Sequence, residues 1–294
     1  MTAHPIPATL LEYLHACPLC DDPRLAHYCR VPSRFHNGEF IRYERCRACG
    51  LVLRNPRRLE HERVDRYRTA SLAPPPPDPE TGLHQRYMLR VLRSYLGNLD
   101  RPRLLDFGCG GGTFLAEARR AGFDGTGIEL NPSLANHVEA MGLSVFRGLP
   151  DDPAFTEPPF DILLSSQVFE LLADPRATLL GLTRHLTEGG LALIEVPNLN
   201  DFREKRRRGS TMDDSHLFYF SARSLTALLR GCGFEVLEVH QGARPFRLLR
   251  EHAERLPIYV LRALEKLAAA SQVRTGLGIV ARKKGSPALS SRMS

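Results

Sequence analysis

Four cysteines fall in two Cys-x-x-Cys pairs, Cys17-Pro18-Leu19-Cys20 and Cys46-Arg47-Ala48-Cys49. Each pair can offer two thiolates to one metal ion, and two pairs complete a tetrahedral four-sulfur zinc site. Such a site keeps no open coordination position, so its expected role is structural. A segment of about 55 residues builds little core of its own and needs such a staple. Two disulfides, or four unconnected thiols, are the other readings of this spacing. His27, Cys29 and His36 lie between the pairs as substitute ligands, but the paired spacing argues for Cys17, Cys20, Cys46 and Cys49.

A second constellation reads Asp106-Phe107-Gly108-Cys109-Gly110-Gly111-Gly112-Thr113, between a predicted strand and a predicted helix. Glycines there permit a tight turn and let a ligand lie against bare backbone. Seventeen residues beyond Gly112, Glu129 closes the next predicted strand. A carboxylate in that place can accept hydrogen bonds from both hydroxyls of a ribose. The dinucleotide pattern Gly-x-Gly-x-x-Gly fails, because its sixth place holds Thr113. The pattern Asp-x-Gly-x-Gly-x-Gly is met in full by Asp106, Gly108, Gly110 and Gly112. An acid ahead of the first glycine suits the ammonium of an amino-acid moiety better than a pyrophosphate.

The elements that must position these groups follow from periodicity. Residues 103–107, 125–130, 144–146, 160–165, 190–196, 234–240 and 276–282 read as strands. Helices are expected at 84–99, 113–121, 132–141, 175–186 and 221–231, with helical stretches in 247–270 broken at Pro257. This alternation predicts an α/β fold, a mainly parallel seven-stranded sheet with helices on both faces. Ligands bind such sheets at the carboxyl ends of their strands. The chain divides by composition into a cysteine module (1–56), a Pro-rich connector (57–80) ending in four consecutive prolines, the α/β domain (81–284) and a tail (285–294).

The 294 residues are 43% hydrophobic, enough to bury a core, and the net charge is +7. No apolar run reaches the roughly 18 residues of a membrane span. Residues 1–14 lack the charged start of a secretory signal, so the expected location is the cytoplasm. The basic balance comes almost wholly from Arg, with only four Lys. Its densest cluster is Arg203, Lys205, Arg206, Arg207 and Arg208, either a solvated loop or a contact to an anionic substrate.

The stretch from Leu104 to Gly112 resembles the first motif of class I S-adenosylmethionine (SAM)-dependent methyltransferases. Gly127-Ile128-Glu129-Leu130 is similar to their ribose-binding motif. The segments 160–165, 186–190, 216–221 and 231–234 resemble later elements of the branch containing ubiquinone-type O-methyltransferases. The resemblance implies a Rossmann-like fold and SAM as cofactor. It places the methionine part on Asp106, Gly108, Gly110 and Gly112, the ribose on Glu129 beside Leu130, and the methionine end beside Ser166 and Gln167. The adenine then lies near Gly148 and Leu149.

Methyl transfer to a neutral oxygen also needs a group to take the proton. Many relatives carry Glu-His after the fourth strand; here the place reads Glu170-Leu171. His216, close to Asp213, Asp214 and Tyr219, is the candidate base, or else a fastener of its loop. A zinc module on this fold also occurs in some sugar C-methyltransferases and some ribosomal-RNA methyltransferases. Pro197-Asn198-Leu199-Asn200 is closer to small-molecule relatives than to an Asn-Pro-Pro-Tyr base-methylating motif. The expected function is methylation of a small molecule, a glycosyl or secondary-metabolite hydroxyl. RNA methylation and non-catalytic SAM or zinc-ribbon binding are the alternatives.

Overall fold

The computed structural model describes residues 8–33, 40–74, 76, 78–200, 215–242, 256–263 and 276–285. Its N-terminal part holds β1 (Leu11–Glu12), β2 (Leu25–Pro32), β3 (Phe40–Cys46), β4 (Val52–Arg54) and β5 (Arg57–Arg58). Two helices follow, α1 (Glu60–Thr69) and α2 (Pro79–Arg93). Next come β6 (Arg103–Phe107), α3 (Thr113–Arg120), β7 (Asp124–Glu129), α4 (Pro132–Ala140) and β8 (Ser144–Arg147). The chain continues through β9 (Phe160–Ser166), α5 (Pro175–Leu182), β10 (Leu186–Val196) and β11 (Phe218–Tyr219). It closes with α6 (Ala222–Gly231), β12 (Phe234–Gly242) and β13 (Gly276–Lys283).

Seven strands form one sheet in the order β12-β13-β10-β9-β6-β7-β8. The pairs β6–β7, β7–β8, β6–β9 and β9–β10 are parallel, while β13 runs antiparallel to β10 and β12. The central strands are buried on both faces, as a sheet covered by helices requires. Leu105, Phe107, Leu163, Ala192 and Ile194 enter one core with residues of α5 and α6. Leu104, Ile162, Leu164, Leu191 and Leu193 enter the other, with α2 and α3. The α/β expectation and its seven strands are met, with strand ends moved by a few residues.

Helix starts follow from local chemistry. Asn131 caps α4 by accepting from Ser133 N and Leu134 N, with Pro132 next in line, and Asp174 caps α5 ahead of Pro175. Ser221 and Ser224 form a reciprocal capping box on α6.

Two expectations need correction. The stretch 57–80, expected as a Pro-rich connector, also contains β5, α1 and the start of α2. Helix α1 is polar all round and buries none of its residues, so no apolar period announced it. The helix expected at 84–99 occupies Pro79–Arg93 instead, with proline accepted in its first turn.

The cysteine module is not closed within residues 1–56. Arg57–Arg58 pairs with Leu11–Glu12, and β11 adds an edge to the sheet β11-β4-β3-β2. Arg54 N also donates to Leu217 O at 2.8 Å. Cys17, Leu19, Cys46, Cys49, Leu51 and Leu53 share one apolar core with β6, β9, β10, α5 and α6. The module is therefore built into one face of the larger fold. The Arg203–Arg208 cluster, Asp213, Asp214, His36 and most of 247–270 lie outside the described residues. Among the described residues no helix is long and apolar enough to cross a membrane.

Candidate functional site

A cavity of about 1080 Å³ opens at the carboxyl ends of β6, β7 and β9. Its wall includes Asp106, Gly108, Gly110, Glu129 and Leu130, and further along Leu149, Ser166 and Gln167. Eight of the nine cofactor positions expected from sequence therefore meet in one space. Gly112 is not on the wall. It takes a left-handed φ of 73° at the start of α3, where an added Cβ would come within 3.0 Å of Val138 Cγ2. Both observations suit a glycine at a tight turn with close packing.

The two other glycines divide the remaining work. A Cβ on Gly108 would meet Val168 Cγ2 at 2.5 Å, so this glycine lets the loop after β9 close upon the turn. A Cβ on Gly110 would meet nothing within 4 Å among the described residues, so its bare face looks into the cavity. Gln167, a non-glycine residue, holds φ 60°, with its N–H donated to Glu195 O at 2.8 Å. Left-handed backbone at such a residue stores strain of a kind concentrated at functional sites.

Three carboxylates gather behind the glycines. Asp106 is 3% exposed, and burial together with Glu129 and Glu195 pushes its carboxyl up to about 8. Burial also works against charge on Glu195, but His84, at 2.6 Å, and Ser166 more than offset it, holding that carboxyl below its usual range. A cationic ligand placed here would relieve the crowding of acids.

Glu129 Oε1 accepts from Tyr67 OH at 3.0 Å and from Asn131 N at 2.7 Å. Its Oε2 accepts from Gly110 N at 2.9 Å. A carboxylate has about four lone-pair positions, and these three contacts leave about one open to a ligand donor. Tyr67 comes from α1 and is held there by no local signal; the sequence carried no hint of it. The same holds for Arg63, whose Nη2 donates to Leu171 O, and for the His84–Glu195 pair, 111 residues apart.

After β9 the chain carries Glu170-Leu171. Leu171 lines the cavity. Glu170 is 1% exposed, burial pushes its carboxyl up to about 8, and its Oε2 has no hydrogen-bond partner among the described residues. His216 sits just ahead of β11, its ring edge-on to Tyr219 at 5.7 Å between centroids. It is not itself on the cavity wall, although its neighbours Ser215 and Leu217 are.

The four paired cysteines form a separate cluster. Their sulfurs lie within 4.8 Å of one another, with Cys17–Cys49 and Cys20–Cys46 both at 3.6 Å. A tetrahedron with Zn–S bonds of about 2.3 Å has edges of ~3.8 Å, whereas a disulfide needs about 2.05 Å. The arrangement fits a metal and not two disulfides. Hydrogen bonding to Cys49 raises the Cys17 thiol, and the same contact lowers the Cys49 thiol to about 5. Cys29 lies in β2 and is not part of the cluster.

The methyltransferase domain family matches residues 81–239, more than half of the chain. A ubiquinone biosynthesis O-methyltransferase of Caulobacter sp. is 33% identical over 103 residues, covering 33% of this chain and 41% of that protein. The C-methyltransferase NovU of Streptomyces niveus is 27% identical over 162 residues, 53% of this chain and 38% of its own. The chain thus spans less than half the length of these relatives. A solved plantazolicin methyltransferase in complex with SAH shares 14% identity at a TM-score of 0.51, over 76% of this chain and 90% of that one. A SAM-dependent methyltransferase from Methanosarcina mazei shares 18% identity at a TM-score of 0.50, over 67% of this chain and 98% of its own. The sheet order, the acid–glycine turn and the family match agree: this chain belongs to the methyltransferase domain family, with the Rossmann-like fold of class I SAM-dependent methyltransferases.

Proposed function

We propose that the chain transfers a methyl group from SAM to a small molecule, with a glycosyl or secondary-metabolite hydroxyl as acceptor and a structural zinc ion on Cys17, Cys20, Cys46 and Cys49. The observation that carries this reading is the juxtaposition of Asp106, the open face of Gly110 and the carboxylate of Glu129 on one cavity wall. The residues fit the cofactor by their chemistry. Asp106 faces an ammonium, the glycine backbone lies along the amino-acid chain, Glu129 beside Leu130 accepts from ribose hydroxyls, and Gly148 and Leu149 lie near the adenine. SAM bound there supplies a methyl group already activated as a sulfonium, so positioning contributes most of the rate.

The acceptor's proton falls to His216 in this reading, with Ser215 and Leu217 on either side of it at the cavity. Leu171, Val168 and Leu217 give that end an apolar part of its lining.

Incubation with methyl-labelled SAM and fractionated metabolites or RNA tests the reading. Label should enter a small-molecule fraction. His216→Ala should lower turnover sharply with SAM affinity retained; undiminished turnover removes His216 as base. Label entering RNA alone, or no acceptor at all, contradicts the assignment.

A further inference from the structure

Residues 54–66 put four arginines on the wall of the cavity that holds the glycine turn, Arg54, Arg58, Arg63 and Arg66, with Glu60 among them. They come from the end of the cysteine module and from α1. Glu60, Arg63, Val64 and Tyr67 recur at i, i+3, i+4 and i+7, so one face of α1 looks into the cavity. No residue of that helix is fully buried, so apolar packing is not what holds this face in place.

Arg63 sits in an unfavourable place. Burial, with repulsion from Arg57 and Arg54, pushes its guanidinium down to about 10. Glu60 and Glu12 act in the opposite sense, but Glu12 is already committed to Arg57 at 2.8 Å. Asp174 lies on the same wall and is engaged as the cap of α5, accepting from Ala177 N at 2.8 Å. The wall also carries Asp106 and Glu129 at the glycine turn and Asp151 beyond Leu149, so the arginines stand on the 54–66 side of a wall of mixed charge. Guanidinium forks match the oxygens of phosphate groups in pairs. Arg63 also touches the carbonyl of Leu171, four residues beyond Gln167, so this charge adjoins the methionine end of the proposed cofactor site.

We propose that the acceptor is a small molecule carrying a phosphate or diphosphate, held by Arg58, Arg63 and Arg66. The segment linking the cysteine module to α2 is then the element that recognises the substrate. This rests on the methyltransferase reading and adds the acceptor's charge to it. A small molecule is favoured over a nucleic acid because the arginines line the cavity itself, on the wall shared with Gly110 and Glu129.

Calorimetric titration of the full zinc-loaded chain with pyrophosphate, with and without S-adenosylhomocysteine (SAH), tests it. The native protein should bind pyrophosphate, and the R58Q/R66Q double variant should bind it at least tenfold more weakly, with SAH affinity unchanged. A charge-matched control at the exposed Arg101 and Arg184, R101Q/R184Q, should bind pyrophosphate as the native protein does. Protein that takes up SAH but not pyrophosphate overturns this inference and leaves the methyltransferase reading standing. So does pyrophosphate binding that the double variant does not weaken, or that the control weakens equally. A short RNA bound more tightly than pyrophosphate, with the same sensitivity to R58Q/R66Q, overturns the small-molecule assignment. Uptake of pyrophosphate without SAH contradicts the methyltransferase reading, and with it the assignment of this anion to an acceptor.

Discussion

Binding of SAM should release a proton below pH 8, and Asp106 should be its source. The carboxyl is held at about 8, so at pH 7 about ten molecules in eleven carry the proton. An ammonium favours the ionised form. Ionising the group at pH 7 costs about 1.4 kcal/mol, a factor of ten in affinity. Apparent affinity should therefore fall about ninefold between pH 7 and pH 6, with about 0.9 proton released per SAM bound at pH 7. The range below pH 7 matters, because an α-amino group itself titrates at about 7.7–8.0. Calorimetry in two buffers of different ionisation enthalpy reads both quantities. Asp106→Asn should abolish the proton release and weaken binding at pH 8 by about 1.5–3 kcal/mol, the range for hydrogen bonds to charged groups. The same substitution should stabilise the cofactor-free protein. The folded carboxyl is raised above its unfolded value of about 3.9, so its favourable contribution is complete below that pH and lost as pH rises to about 8. The asparagine variant should melt higher than the native protein at pH 8, with the gap closing toward pH 4. Flat affinity between pH 6 and 7, with no proton released, would refute the reasoning.

Tyr67→Phe should tighten SAM binding several-fold, because it frees a lone-pair position on Glu129 for the second ribose hydroxyl; weaker binding in a direct titration would show that the tyrosine stays in the occupied site. Gly110→Ala should fold with a loss of about 1 kcal/mol yet lose SAM binding, whereas Gly108→Ala should lose more stability because its Cβ meets Val168 at 2.5 Å. Thermal melts paired with binding titrations separate the two. Removing zinc with a chelator should lower the melting temperature of the whole chain in one transition, since Cys17, Cys46 and Cys49 share a core with β6, β9 and β10. Two separate transitions would show an independent module. Arg57→Ala should cost about 2–3 kcal/mol in denaturant unfolding, because Arg57 joins Glu12 at 2.8 Å and Ala173 O at 2.7 Å.

What could be read in the sequence was what is local. The acid–glycine turn and Glu129 lie on consecutive strand ends, so their spacing carries the site. The cysteine pairs announce themselves because two thiolates on one knuckle must sit two residues apart. The parts that stayed hidden are set by tertiary structure. Helix α1 shows neither an apolar stripe nor a side-chain cap, yet it supplies Tyr67 and Arg63. Strand β11 is two residues long and finds its partner more than 160 residues earlier in the chain, at Val52 and Leu53. His84 meets Glu195 only because α2 packs over the ends of the strands. The bounds of the module were drawn by composition, which does not record that Phe218 and Tyr219 complete its sheet.

The cradle at Gly110 and Glu129 is tested most directly by equilibrium titration of the zinc-loaded chain with SAH and, separately, with NADH. One SAH per chain should bind, NADH should not, and Glu129→Ala should weaken SAH by about 2–3 kcal/mol. Tight NADH binding by well-folded protein that ignores SAH would contradict the account.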